Sequence, residues 1–101
     1  MMVEGTMKGY FALGMNPAHS SANTKFLRNA LANLDWIVTA DLYMTESASF
    51  WDAPDMKDKA PQIQTESYFL PVASILEKPG TILNSGRQLQ WRQQAIEPAE
   101  G

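Results

Sequence analysis

The chain contains no cysteine, and its charges are nearly balanced. Without cysteine it has no disulfide framework, no thiol nucleophile and no thiolate ligand for a metal or an iron-sulfur cluster. The formal net charge of -3 gives no basic surface that could attract phosphate backbones. Nucleic acid is therefore not an expected partner.

Long apolar runs are also absent. No stretch approaches the roughly 18 consecutive apolar residues of a membrane-spanning helix, so we expect no direct membrane insertion. The opening segment, "MMVEGTMKGY", lacks the basic region and apolar stretch of a signal peptide. The sequence by itself leaves the compartment unknown.

The remaining composition is that of a folded domain. Hydrophobic residues make up 45% of the 101 residues and charged residues 19%, which argues against disorder. A chain of this length forms one domain at most. We therefore predict a single partial domain over residues 1–101.

The first half of the chain has the pattern of a strand, a helix and a second strand. Residues 8–15, "KGYFALGM", predict a buried strand that ends at the turn-forming pair Asn16-Pro17. Apolar residues then recur at helical spacing over 26–34, after a possible N-cap at Asn23 or Thr24. The segment 35–43 is rich in β-branched residues, which favours a second strand.

The second half is less regular. A short helix is predicted from Thr45 to Trp51, followed by an inserted polar loop over 52–66. The apolar segment "SYFLPVASIL" predicts a third strand, and turns follow from Glu77 onward. The fold class is therefore α/β, a Rossmann-like βαβ half-unit with parallel strands and an irregular, turn-rich C-terminal segment. Such a half-unit leaves one sheet face poorly covered, so we expect it to be part of a larger subunit.

Open parallel sheets bind ligands at the carboxyl ends of their strands, and polar residues follow all three predicted strands. Asn16 follows the first strand, where its amide could donate to and accept from a ligand, or could serve only the turn before Pro17. Asp41 ends the second strand, where a carboxylate could accept hydrogen bonds from ribose hydroxyls or from guanine, or could cap a helix. Lys78 follows the third strand and could reach a phosphate, or could be an ordinary surface lysine.

No catalytic motif accompanies these residues. The chain has no G-x-G-x-x-G sequence, which disfavours ordinary nicotinamide binding. His19 is the only histidine and has no nearby carboxylate in sequence, so neither a metal site nor a catalytic residue is predicted. The residues alone define an α/β unit with a nucleotide-binding crevice.

Three segments together resemble a known family. They are "GMNPAHSSAN", "ALANLDWIVTADLYMTESASFW" and "SYFLPVASILEKPGTILNSGRQLQWR". Their order and motifs resemble the large subunit of respiratory formate dehydrogenases, in the molybdopterin oxidoreductase superfamily that includes dimethyl sulfoxide reductase. The insertion before "SYFLP", together with "NSGRQLQWR", is similar to the formate dehydrogenase branch in particular. The resemblance covers residues 8–96.

The resemblance implies a role in holding a cofactor. It implies a piece of the region that binds one of two molybdopterin guanine dinucleotides carrying molybdenum or tungsten, in an enzyme that converts formate to carbon dioxide and electrons. Four residues match cofactor-contacting positions of the family: Asn16, Ala40, Asp41 and Lys78. Glu77, Gly80, Asn84 and Arg87 match its motif as structural residues.

The resemblance also implies what lies in other segments. The iron-sulfur cysteines and the selenocysteine or cysteine metal ligand of the family have no counterpart in this chain, so the 101 residues alone are not expected to oxidise formate. The implied partners are the remainder of the large subunit and an iron-sulfur electron-transfer subunit. Family habit favours a periplasmic, membrane-associated complex, although cytoplasmic members occur. The alternatives are a free-standing nucleotide-binding or interaction module without catalysis, and a fragment of another molybdopterin reductase.

Overall fold

The computed structural model describes residues 1–98, so the last three residues of the predicted domain 1–101 lie outside the described residues. The chain divides into two compact units, Met1–Pro71 and Val72–Gly101. No helix within residues 1–98 is both long and apolar enough to cross a membrane.

The first unit is built on a three-stranded parallel sheet. Its strands are β1 (Gly9–Leu13), β2 (Trp36–Asp41) and β3 (Glu66–Pro71), in the spatial order β1-β2-β3. Both neighbouring pairs run parallel, as a βαβ arrangement requires. The predicted α/β class with parallel strands is confirmed.

The connection from β1 to β2 is helical. It contains α1 (Pro17–Ser20), which the sequence did not predict, and α2 (Thr24–Leu31). Asn23 is the N-cap of α2, because its side chain accepts a hydrogen bond of 3.3 Å from the Phe26 amide. The eight-residue helix has about two turns, fewer than the spacing of apolar residues predicts, since buried Leu34 follows the helix in a turn.

The connection from β2 to β3 contains no α-helix, so the helix predicted from Thr45 to Trp51 is wrong. Turns and two short 3-10 helices, Phe50–Asp52 and Ala60–Gln62, take its place. The physical reason lies at Ser47, whose hydroxyl bonds to residues of the first connection instead of capping a local helix.

Both connections pack on the same face of the sheet. The buried core on that face consists of Ala18, Leu31, Leu34, Ile37, Phe50 and Met56. Met56 comes from the inserted loop 52–66 and is fully buried. The insertion therefore covers the sheet in the place where a crossover helix usually packs.

The opposite face of the sheet is open. Side chains two residues apart share a face of a strand, and the parallel register aligns Phe11 with Val38 and Tyr68, and Leu13 with Ala40 and Leu70. The outer strands leave large apolar side chains exposed, with Phe11 58%, Leu13 65% and Leu70 53% accessible. Parallel sheets are normally buried on both faces, so this face is unusual for an isolated unit.

The second unit contains an antiparallel hairpin, β4 (Gly80–Leu83) and β5 (Leu89–Arg92). Its turn is closed by Asn84, whose side-chain oxygen accepts from the Gln88 amide at 3.1 Å. Arg87 occupies this turn with a φ of 61°, in the left-handed region. The predicted turns of the C-terminal segment thus join two short strands.

Candidate functional site

The carboxyl ends of the three parallel strands lie side by side in the first unit. Leu13 pairs with Ala40, Ala40 pairs with Leu70, and Asp41 pairs with Pro71. The sheet contact continues one residue beyond β1, where the amide of Gly14 donates to the Ala40 carbonyl at 2.8 Å. We call this end of the sheet the strand-end edge, and it is where ligands bind in open α/β sheets.

Two predicted site residues end β2 at this edge. Ala40 is 9% exposed, and Asp41 is half-buried. One carboxylate oxygen of Asp41, Oδ1, accepts a 2.8 Å hydrogen bond from the Leu42 amide. No described residue donates to the other oxygen, so Asp41 Oδ2 is free to accept from a ligand.

Asn16 joins the loop after β1 to the loop after β2. Its Oδ1 accepts hydrogen bonds from the Ser47 amide at 3.1 Å and from the Ser47 hydroxyl at 2.8 Å. Its Nδ2 donates to Glu46 Oε2. Ser47 is completely buried, and its hydroxyl oxygen also accepts from the Ala18 amide at 3.0 Å. We call the group Asn16, Glu46 and Ser47 the Asn16 clasp.

The carboxylate of Glu46 is held in its ionised form. Hydrogen bonding to its own backbone and then to Asn16, with a smaller effect of His19, lowers the pKa of Glu46 below its usual range. His19 Nδ1 lies 3.8 Å from Glu46 Oε1, and both side chains are exposed. Glu46 therefore acts as a hydrogen-bond acceptor for Asn16 at neutral pH.

Thr45 carries a buried polar group without a partner. The residue is 8% exposed, and its hydroxyl has no hydrogen-bond partner within the described part of the chain. Buried hydroxyls nearly always make a hydrogen bond, because leaving one unsatisfied costs free energy. Thr45 lies four residues after Asp41, but its hydroxyl oxygen is enclosed by the protein and has no surface that a ligand could contact.

Lys78, the fourth predicted site residue, belongs to the second unit. It lines a small cavity of about 70 Å³ whose other walls include Gly80 and Arg92. Gly80 pairs with Arg92 across the hairpin, and a Cβ at Gly80 would meet no atom within 4 Å. The other residues that line the cavity are mainly apolar, among them Ile75, Pro79 and Ile82.

The sequence did not predict the roles of Glu46 and Ser47 in the Asn16 clasp, or the unpartnered hydroxyl of Thr45. The helix predicted from Thr45 would leave Glu46 and Ser47 in its first turn, whereas the structure uses both in contacts with Asn16, some 30 positions earlier. Only a resemblance to related sequences could have drawn attention to them. Among residues 1–98 no cluster of three metal-binding side chains occurs.

Fold and site together define a class: a parallel α/β unit whose strand ends carry polar side chains, in the position where ligands bind in open α/β sheets. No protein-family profile matches the chain. Sequence comparison identifies relatives among formate dehydrogenases. Formate dehydrogenase subunit alpha of Megalodesulfovibrio gigas is 50% identical over 97 residues, covering 96% of this chain and 9% of the relative.

Two further relatives agree with this assignment. Formate dehydrogenase 2 subunit alpha (cytochrome c-553) of Nitratidesulfovibrio vulgaris is 44% identical, covering 98% of this chain and 10% of its own length. Formate dehydrogenase-O major subunit of Escherichia coli is 39% identical over 93 residues, covering 90% of this chain and 9% of the relative. The chain spans about a tenth of the length of the curated relatives it matches. It is homologous to a segment of formate dehydrogenase large subunits, which confirms the resemblance.

Proposed function

We propose that this chain is a segment of a molybdenum- or tungsten-dependent formate dehydrogenase, in which it binds the guanine dinucleotide arm of a molybdopterin cofactor. The observation that carries the proposal is the match over nearly the whole chain to formate dehydrogenase large subunits. When bound, such a cofactor accepts the two electrons that leave formate. The segment itself would bind and orient the nucleotide.

The residues of the first unit fit this role. Nucleotides present hydrogen-bond donors on their ribose hydroxyls and on the guanine edge, and these need acceptors. Asp41 supplies a free carboxylate oxygen at the strand-end edge. Ala40 presents no long side chain, so it would leave room for the nucleotide beside Asp41.

The remaining predicted residues are Asn16, in the first unit, and Lys78, in the second. Asn16 would contribute an amide N–H next to the same edge. Lys78 would contribute a positive charge for a phosphate, as would Arg92 beside it in the cavity of the second unit. The implied partners are the remainder of the large subunit and an iron-sulfur subunit that removes the electrons.

The test is the variant Asp41→Ala in the large subunit that carries this segment. We expect guanine dinucleotide content, metal content and formate oxidation to fall together, because the carboxylate supports binding and not the chemistry. Asp58→Ala, at an exposed aspartate of the inserted loop, is the matched control and should leave all three unchanged. Normal metal content and turnover in Asp41→Ala would contradict the proposal.

A second variant separates charge from hydrogen bonding. Asp41→Asn keeps an oxygen to accept from the Leu42 amide but replaces the free carboxylate oxygen with an NH2 group, which can only donate. If Asp41 accepts from nucleotide donors, Asp41→Asn loses dinucleotide nearly as far as Asp41→Ala while thermal stability stays close to that of the unsubstituted protein. If both variants lose thermal stability but keep their cofactor content at low temperature, Asp41 stabilises the fold and does not bind the nucleotide.

A further inference from the structure

The orientation of the Asn16 amide is fixed by its partners. The backbone amide of Ser47 can only donate a hydrogen bond, so the atom of Asn16 that faces it must be the oxygen. The Ser47 hydroxyl donates to the same oxygen, since its own oxygen already accepts from Ala18. Asn16 Oδ1 thus uses both of its lone pairs within the clasp.

Only one of the two N–H groups on the Asn16 amide nitrogen has a hydrogen-bond acceptor among the described residues. A primary amide carries two N–H groups, and Asn16 donates one of them to Glu46 Oε2. Within residues 1–98 no acceptor faces the second N–H. Asn16 keeps part of its surface accessible, since the residue is only half-buried. The clasp therefore presents one N–H, and no oxygen lone pair, to a ligand.

We infer that Ser47 and Glu46 are positioning residues, which hold the Asn16 amide so that the ligand atom beside it must be a hydrogen-bond acceptor. The inference rests on the proposed function of the strand-end edge. It selects for a carbonyl oxygen, a phosphate oxygen or an unprotonated ring nitrogen. A ligand donor at this position would meet another N–H and be rejected.

The buried position of Ser47 explains why the arrangement is rigid. Ser47 has no exposed surface, and its hydroxyl has both a donor and an acceptor partner. If Asn16 rotated its amide by half a turn, the Ser47 amide would face an N–H and lose its acceptor in a buried place. Glu46, which is ionised, would at the same time face the amide oxygen. Both effects favour the orientation in which Asn16 Oδ1 faces Ser47 and Nδ2 faces Glu46.

The test is a double-mutant cycle that exchanges donor and acceptor between two residues of the clasp. Asn16→Asp places a second carboxylate against Glu46, and Glu46→Gln supplies an amide in place of the Glu46 carboxylate. In the double variant Gln at 46 can donate to Asp at 16, so the clasp reforms with its polarity reversed. The N–H that faced the ligand is absent from the double variant.

Two readouts on the large subunit that carries this segment separate the roles. Hydrogen exchange at the Ala18 and Ser47 amides measures whether the hydrogen bonds of the clasp are formed. The amount of dinucleotide retained after dialysis measures ligand binding. We expect Asn16→Asp to lose both the exchange protection of these amides and the retained dinucleotide. The double variant should regain the exchange protection. Its rate of dinucleotide release should stay about tenfold above that of the unsubstituted subunit, which corresponds to the loss of one hydrogen bond. Asp58→Asn serves as the exposed control.

Each other outcome overturns the inference. If the double variant regains both protection and retention, the second N–H of Asn16 has no role in binding. If it regains neither, the contacts of Ser47 and Glu46 do not define the amide orientation. A wild-type subunit without dinucleotide, or a normal Asp41→Ala variant, would instead refute the proposed function, while the exchange data would still report on the clasp.

Discussion

Arg28 on α2 donates to both carboxylate oxygens of Asp55 in the inserted loop, with Nη2–Oδ1 at 2.7 Å and Nε–Oδ2 at 3.2 Å. The side chains are only 14% and 20% exposed. Nη1 of the same guanidinium donates to the Ala18 carbonyl at 2.9 Å. One arginine thus connects α1, α2 and the insertion, in the two-pronged geometry that makes arginine pairs specific.

The first prediction concerns the pH dependence of this pair. Hydrogen bonding to Arg28 is the main reason that the pKa of Asp55 lies below its usual range. A carboxyl with a lowered folded-state pKa stabilises the protein above its ordinary pKa of about 4, and this stabilisation is lost as the pH falls through the lower, folded-state value. We expect Asp55→Asn to lower the melting temperature at pH 7 and to differ little from the unsubstituted chain near pH 2. Asp58→Asn is the control, and a difference that persists unchanged at pH 2 would contradict the argument.

The second prediction concerns the contribution of the insertion to the core. Met56 is fully buried, so Met56→Ala should lower the free energy of unfolding by about 2–5 kcal/mol through lost burial and a residual cavity. Met44→Ala removes a side chain that is 58% exposed and should have little effect. Denaturant unfolding of both variants measures the difference. Equal midpoints would mean that the insertion does not pack as described.

The third prediction uses two glycines. A Cβ at Gly9 would lie 2.1 Å from the Trp36 ring, whereas a Cβ at Gly80 would meet nothing within 4 Å. Gly9→Ala must therefore displace the indole between β1 and β2, at a cost on the order of 1–3 kcal/mol. Gly80→Ala is the matched control, with an expected change within about 0.5 kcal/mol. The comparison is made by thermal unfolding and by Trp fluorescence, and an unaltered Trp36 environment in Gly9→Ala would be inconsistent with this packing.

The fourth prediction concerns the unpartnered hydroxyl of Thr45. Thr45→Val replaces this hydroxyl with a methyl group of similar size. We expect the free energy of unfolding to rise by about 1 kcal/mol, because a buried polar group without a partner is removed, and denaturant unfolding measures the change. A destabilised free chain would show that the hydroxyl already has a partner, such as water.

The fifth prediction concerns the open face of the sheet. Leu13 and Leu70 are exposed and lie in line on that face, so the isolated 101-residue chain should self-associate. The double variant Leu13→Lys with Leu70→Lys should reduce association in sedimentation equilibrium. Phe26→Lys, at a residue of α2 that is 56% exposed, is the control. A monodisperse unsubstituted chain would favour the alternative of a free-standing module.

Much of the sheet could be predicted from the sequence. The strands around Phe11, Val38 and Phe69 have dense apolar and β-branched residues, and the long segments between them require parallel pairing. Because parallel strand ends share one edge, the proximity of the loops that carry Asn16 and Asp41 also followed. The first two strands were predicted to within two residues at each end, the usual uncertainty at element ends, whereas the predicted third strand, 67–76, runs five residues beyond Pro71.

Other features depend on contacts that the local sequence does not encode. Met56 stands in a run of charged residues without apolar periodicity, so nothing marks it as a core residue. The pattern Thr45-Glu46-Ser47 has the composition of a helix cap, but Ser47 bonds to Asn16 and Ala18 in the folded chain. Tertiary hydrogen bonds outweighed local propensity there, and no single-sequence rule weighs the two.

The order of strands in the first unit has a consequence for synthesis on the ribosome. β2 lies between β1 and β3, its neighbours in sequence, but both pairs are parallel and need long crossover connections, so no hairpin can form early. The sheet is complete only when Pro71 has been made, about 60 residues after β1 begins, or roughly 3–12 s at ordinary elongation rates. The hairpin of the second unit, by contrast, closes in microseconds once it has emerged. Until Asp41 has been made, about 30 residues after β1 begins, the nascent first strand has no partner, which gives a chaperone time to bind its apolar side chains.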